Sequence, residues 1–263
     1  MNYKKLLSII TINKNNGTFF EKTISSILKQ TLDICDLIVI DGGSTDKSVN
    51  VIRKYSSKIF YWSSSKDVNI SDAFNKGLAQ VKSEWIMFIN SDDYLLNKYV
   101  FSKIYKDLLI FKKFDMIVYK VNLKSRDLQK TIGCFGGSDT NIKKLKFYNV
   151  IPHQATIINK NFFAKNGKYS LDFPIAQDYE ILLRKNNLKI KKINKIVSVM
   201  RDGGITNSNR LKALHYFMKA QIKNNVNPFL ICYSIYIFGI IKILIKFFLK
   251  NKSIFSKTLK LIF

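Results

Sequence analysis

The chain has 263 residues, 47% of them apolar, enough for one large domain with a substantial core or a domain plus an appendage. Its 44 Lys and Arg against 18 Asp and Glu leave a net charge of +26, which favours an anionic partner: nucleic acid, a membrane surface or a phosphorylated substrate. Cys35, Cys134 and Cys232 form no CxxC pair, and His153 and His215 are far apart, so neither a disulfide framework nor a local zinc motif is suggested and a reduced, cytosolic compartment is expected.

The N-terminal apolar run 6–12 ends in Asn and Lys without a small-residue cleavage site, and reads as a first strand rather than a signal peptide. Helical spacing follows over 19–29. "DLIVID" (36–41) is a second strand, and "STDKSVNVIRKY" (44–55) opens on Ser, Thr and Asp, as a helix N-cap does. A third strand is expected at 58–62, a helix at 70–81, a strand at 85–89 and a helix near 97–111. Strands this apolar, separated by helices, predict a mostly parallel sheet covered on both faces, with ligands at the carboxyl ends of its strands. Asp41, Asp92 and Asp93 fall at those ends. Beyond residue 115 the expected elements are strands at 115–121, 154–159 and 190–200, and helices at 175–188 and 211–225.

Two stretches carry chemistry on their own terms. Asp92 and Asp93, at a strand end, suit a hard divalent cation such as Mg2+ or Mn2+, or else an Asx turn opening the next segment. "IDGGSTDKS" (40–48) allows a ligand close to the backbone before a helix N-terminus, or is an ordinary strand-to-helix turn. Neither GxGxxG nor a Walker A sequence is present, which argues against dinucleotide binding and P-loop chemistry.

The ordered set "SIITINKNN", "LIVIDGGSTDKS" and "DAFNKGLAQVKSEWIMFINSDD" resembles the nucleotide-sugar-binding half of family 2 glycosyltransferases. "IPHQATIINKNFF", "AQDYEILLR" and "RDGGIT" are similar to its acceptor half, in the same order, so the likeness covers about residues 6–206. The resemblance implies a GT-A fold, an α/β Rossmann-like sheet flanked by helices, with a donor half over about 1–115 and an acceptor half over 116–225. It implies nucleotide contacts near Thr11, Asn13 and Asp41, donor contacts at Asp72, Asn75 and Lys76, and a metal motif at Asp92 and Asp93 holding Mn2+ or Mg2+ against the diphosphate. Where the family often has an aromatic after the first strand, Lys14 stands here. Asp178 matches the family's general base for inverting transfer, although on its position alone it and Glu180 are equally first-turn carboxylates serving the helix dipole. His153 is expected at the acceptor pocket or as a turn-fixing residue after Pro152. Arg201 and Gly204 are expected near the diphosphate or acceptor, or in a simple turn.

After Pro228 the composition changes. A helix over 229–249 would be roughly 31 Å long at 1.5 Å per residue, enough for a bilayer core. Lys242 and Lys246 share one helical face, however, and Lys250, Lys252, Lys257 and Lys260 follow among apolar residues. Residues 226–263 are therefore expected to lie on the membrane as an interfacial helix, with a crossing helix or a buried contact as alternatives. The resulting expectation is a metal-dependent inverting glycosyltransferase on the cytoplasmic membrane face. It would move a sugar from a nucleotide-diphosphate donor, a UDP-sugar, to a lipid-linked or surface-polysaccharide acceptor. The rivals are a nucleotidyltransferase, for which "NKNNGTFF" is a poor phosphate loop, and a nucleic-acid-binding protein, for which the lysines are too scattered.

Overall fold

The structure is a computed structural model that describes residues 4–185, 187–204 and 208–262, the last of these from 246 onward by backbone alone. Strands β1 (Leu7–Asn13), β2 (Cys35–Asp41), β3 (Tyr61–Ser64) and β4 (Trp85–Phe88) alternate with helices α1 (Gly17–Leu28), α2 (Ser48–Tyr55) and α3 (Ile70–Leu78). These strands run parallel in the order β3-β2-β1-β4. Both faces are covered, which is why β1, β2 and β4 are buried along nearly their whole length rather than at alternate residues. On one face Leu7, Ile9, Val39 and Met87 pack with Phe20 and Ile24 of α1 and with Phe101 and Ile104 of α4 (Val100–Ile110). On the other, Ile10, Ile38, Ile86 and Phe88 meet Phe74 of α3.

Beyond β4 the sheet stops being parallel. Strand β6 (Met116–Lys124) forms a hairpin with β7 (Thr131–Gly136), and β8 (Thr156–Asn159) inserts antiparallel between β4 and β6. The long β9 (Ile190–Arg201) pairs parallel with β6 and antiparallel with the two-residue β5 (Tyr94–Leu95). The expectation of a mostly parallel sheet therefore holds for the first four strands and is corrected to a mixed sheet for the rest. The cause is local: between β6 and β8 there is a hairpin and no helical crossover, and a hairpin reverses direction.

The sheet must also curl. Four strand spacings separate β4 from β5, about 19 Å if flat. Only residues 89–93 join them, and these include a turn in which Asp93 N–H donates to Asn90 C=O (3.0 Å). Such a turn keeps its ends within about 7 Å, so a flat sheet would be out of reach. The Asp92–Asp93 turn lies beside the carboxyl end of β1 because β4 pairs with β1, and the curl brings the end of β9 onto it.

Helices α5 (Lys160–Asn166), α6 (Gln177–Leu183) and α7 (Arg210–Lys223) close the second face through Phe162, Tyr179, Leu182, Ala213 and Ala220. The last helix, α8 (Phe229–Ile262), packs on α7, with Gly239 set so close to Leu214 that a Cβ there would come within 2.8 Å. Leu230, Ile237, Ile241 and Leu244 share one stripe of α8 and are all exposed. Among the described residues, no helix is long and apolar enough to cross a membrane. The side chains of Lys246, Lys250, Lys252, Lys257 and Lys260, on which the expectation of a basic face also rested, lie outside the described residues.

Candidate active site

The carboxyl ends of β1 and β2 form the first half of the site. Register pairs Asn13 with Asp41 on the same face of the sheet, and Asn13 Nδ2 donates to Asp41 Oδ1 (2.8 Å). Asp41 also accepts from Ser44 N–H (2.8 Å), Ser44 Oγ (2.5 Å) and Ser64 Oγ (2.6 Å). Burial by itself would raise this carboxyl's pKa, but the hydrogen bonds from Ser44, Ser64 and Asn13 outweigh it and hold the group below the usual carboxylate range. The predicted N-cap cluster at 44–46 is therefore divided, with Asp46 Oδ1 accepting from Ser48 N–H (2.9 Å) at the start of α2. Ser44 serves Asp41, Thr45 N–H donates to Asn15 Oδ1 (2.8 Å), and α2 starts only at Ser48. Thr11 lies behind Asn13, fully buried, so it supports this end of the sheet from within.

Asp41→Ala would leave several buried donors without an acceptor, a loss of about 3 kcal/mol of folding stability that urea denaturation would measure. The sign of the pH dependence follows from the depressed pKa. Asp41's contribution is present above the unfolded-state carboxylate pKa and is lost as pH falls through its lower folded-state value.

Across from Asp41, Gly42 approaches the loop after β3 so closely that a Cβ would stand 2.8 Å from Asp67 Oδ2. Lys76 ties that loop down, reaching Asp67 at 2.5 Å and Asp72 at 3.1 Å, while Asp72 accepts from Val68 N–H (3.0 Å). Asn75 is committed elsewhere: its amide donates to Tyr169 C=O (2.8 Å) and accepts from Tyr169 N–H (3.0 Å). In this arrangement Asp72, Asn75 and Lys76 hold loops around the site.

The second half is the turn after β4. Asp93 is buried and accepts from Arg201 N–H (3.0 Å), and Asp92 is partly exposed, 3.7 Å from the Arg201 guanidinium. That guanidinium lies over the Phe19 ring at 3.8 Å and donates through Nε to Arg126 C=O (2.7 Å). Burial pushes the Asp93 carboxyl well up, and neighbouring Asp92 pushes it further. Burial raises Asp92 too, against the pull of Arg201. Two adjacent carboxylates disfavoured as anions are a fitting donor set for a divalent cation. Among the described residues no group of three His, Cys, Asp or Glu forms a closed cage. These two carboxylates could hold a divalent cation only together with oxygens from outside the described protein groups. Gly204 is exposed with open space around it, while Ile205 and Thr206 of "RDGGIT" lie outside the described residues.

The turn at 153–155 links this centre to the third. The Gln154 side chain stands close enough to Asp93 to favour its anion against burial. His153 turns the other way, stacked on Phe88 (4.6 Å between ring centres), with Nε2 3.0 Å from Tyr169 OH. Burial lowers the His153 pKa against the pull of Asp178. Asp178 itself stands in the first turn of α6, half-exposed, with Oδ2 accepting from Asn149 Nδ2 (2.9 Å). Ala176, just before it, holds a left-handed backbone (φ 65°), a conformation that costs a non-glycine residue about 1–3 kcal/mol and often marks functional sites. The gap between Asp178, His153 and Tyr169 measures only about 10 Å³, the size of one water, so a sugar hydroxyl would reach Asp178 from its exposed side.

Asn13, Asp41, Asp92, Asp93, His153, Asp178 and Arg201 were all expected from the sequence. Ser44, Ser64, Asn149 and Gln154 were not, and their roles depend on contacts across 29 residues or more except at Ser44 and Ser64.

The mixed sheet flanked by helices, with polar residues at the carboxyl ends of its parallel strands, is a fold of the GT-A type. Residues 8–163 match the family model described as "Glycosyl transferase family 2". The chain belongs to that family and is a glycosyltransferase. It is 36% identical over 140 residues to the poly(ribitol-phosphate) β-N-acetylglucosaminyltransferase TarP of Staphylococcus aureus, covering 49% of this chain and 41% of TarP. Its fold is similar to S. aureus TarS 1-349 in complex with UDP-GlcNAc (TM-score 0.64, 16% identity, 88% of this chain and 70% of that one). It is equally similar to a mannosyltransferase from Pyrobaculum calidifontis in complex with GDP-Man and Mn2+ (TM-score 0.64, 12% identity, 86% and 66%).

Proposed function

We propose that the chain transfers a sugar from a UDP-sugar to a lipid-linked or surface-polysaccharide acceptor, with inversion at the anomeric carbon. The observation that carries this reading is the convergence of the Asn13–Asp41 pair, the Asp92–Asp93 turn and Arg201 at one end of the sheet. Asn13 and Asp41 present polar groups to the nucleoside. Asp92 and Asp93 would hold Mn2+ or Mg2+, which when bound supplies Lewis-acid stabilisation to the departing diphosphate. Arg201 adds a fixed cation beside them, preorganised by Phe19 and by the Arg126 carbonyl. Asp178 takes the proton of the acceptor hydroxyl as that oxygen attacks, so one displacement suffices and no covalent sugar–enzyme intermediate is needed. TarP's polyol-phosphate acceptor and the UDP-GlcNAc bound by TarS support a phosphate-bearing acceptor and a uridine donor.

In this reading residues 1–225 are the catalytic unit, and 226–263 hold it on the cytoplasmic membrane face without crossing. The exposed stripe of Leu230, Ile237, Ile241 and Leu244 supports that part.

A thermal-shift screen tests the donor. UDP and UDP-GlcNAc should raise the melting temperature more with Mn2+ than without it, and more than GDP-Man does. A response confined to GDP-Man, or to nucleoside triphosphate plus sugar phosphate with pyrophosphate released, would replace this reading.

A further inference from the structure

Segment 142–148 joins features that the transfer reaction does not use. Three successive carbonyls of this segment are bound from three different elements. Tyr179 OH of α6 donates to Leu145 C=O (2.7 Å), Asn227 Nδ2, just before α8, to Lys146 C=O (2.7 Å), and Gln221 Nε2 of α7 to Phe147 C=O (2.9 Å). Leu145 is buried beneath it. The backbone is thus fixed, and the side chains of Lys143, Lys144, Lys146, Phe147 and Tyr148 are left exposed. Among the described residues no carboxylate comes within ion-pair distance of these three lysines. Lys146 rests over the Phe147 ring at 4.9 Å. The next residue, Asn149, donates to Asp178, so a rigid basic and aromatic platform ends on the proposed base.

The platform also abuts the start of α8, where Phe229 and Leu230 are 61% and 76% exposed. Unpaired ammonium groups complement phosphate, and exposed aromatic rings beside them suit the boundary between headgroups and acyl chains. We propose that segment 142–148 is a docking surface for the phosphate headgroup of a lipid-linked acceptor at the bilayer surface. The proposal rests on the transferase reading above and gives it an acceptor path: the lysines hold the phosphate, Phe147 and Tyr148 enter the interface, and Asn149 sets Asp178 beside the incoming hydroxyl.

The test uses the full-length protein, with vesicles of phosphatidylcholine alone or mixed with phosphatidylglycerol. Replacing Lys143, Lys144 and Lys146 with serine should weaken partition onto the mixed vesicles about a hundredfold. Binding to phosphatidylcholine alone and binding of UDP should stay unchanged. Phe147→Trp should give fluorescence that brominated lipids quench, measured against the parent protein. Unaltered partition of the lysine variant, or an unquenched position 147 while α8 keeps the protein on the vesicle, would overturn the proposal. Competition by a soluble polyol-phosphate polymer, stronger than by simple salt at equal ionic strength, would overturn the lipid source in favour of a water-borne chain. UDP titration of the parent checks the transferase reading separately. No UDP binding alongside a quenched position 147 would remove the acceptor role and leave a membrane contact alone.

Discussion

Asp178→Asn is expected to lower sugar transfer by ~10²–10⁴-fold, the range typical of a lost acid–base group, while leaving UDP binding intact. The asparagine keeps the shape of the side chain and can still accept from Asn149 Nδ2, so α6 and its left-handed entry at Ala176 should persist. What disappears is the ability to take the acceptor proton. The measurement is steady-state transfer beside calorimetric titration with UDP. Transfer within a few-fold of the parent would place the base elsewhere. The stereochemistry of the product checks the same claim independently, because retention at the anomeric carbon would require a covalent intermediate or another mechanism. Asn149→Ala is the smaller companion change. It frees Asp178 to rotate, so it should reduce turnover less than Asp178→Asn does.

Asp93→Asn is expected to reduce turnover by roughly 10²-fold or more, as loss of charge stabilisation at a leaving group does, and to abolish the Mn2+ dependence of UDP binding. Its effect on the fold should run the other way. Asp93 is buried beside Asp92 and its pKa is raised, so the ionised carboxylate costs stability in the metal-free protein. For a carboxyl whose folded-state pKa lies above its unfolded value, the folded state binds the extra proton, and its stability falls as pH rises through the elevated range. That is the opposite sign to Asp41. Metal-free Asp93→Asn should therefore melt no lower than the parent and show a smaller decline as pH rises, the remainder being that of Asp92. Mn2+ should stabilise the parent and leave the variant unmoved. A variant that still gains affinity for UDP from Mn2+ would refute the metal role of Asp93.

Both variants act on positions that could be named from the chain alone, and the reason is physical. Strands β1, β2 and β4 are buried and mostly apolar along their length, because helices cover both faces of a parallel sheet. A polar residue where such a run stops, Asn13, Asp41 or Asp92, therefore falls at the carboxyl end where ligands bind. The resemblance of the motifs supplied Asp178, which spacing by itself would not have separated from an ordinary first-turn carboxylate.

What the chain order did not reveal comes from contacts with no local period. The two-residue β5 has no strand pattern to read, yet its pairing with β9 sets Arg201 N–H against Asp93, 108 residues away. The β6–β7 hairpin made the second half of the sheet antiparallel in part, and its exposed strand lacks the apolar run that signals β structure. Asn75, expected to face the donor, is bound to Tyr169, 94 residues away, a partner that only the tertiary fold brings within reach, while Lys76 is held locally by Asp67 and by Asp72 one helical turn back. Sequence by itself determined the parallel core, the family and the carboxylates at the strand ends, since these rest on burial patterns and short motifs. The tertiary structure decided which groups hold, orient and neutralise those carboxylates, because a hydrogen bond between distant segments leaves no periodic trace in either one.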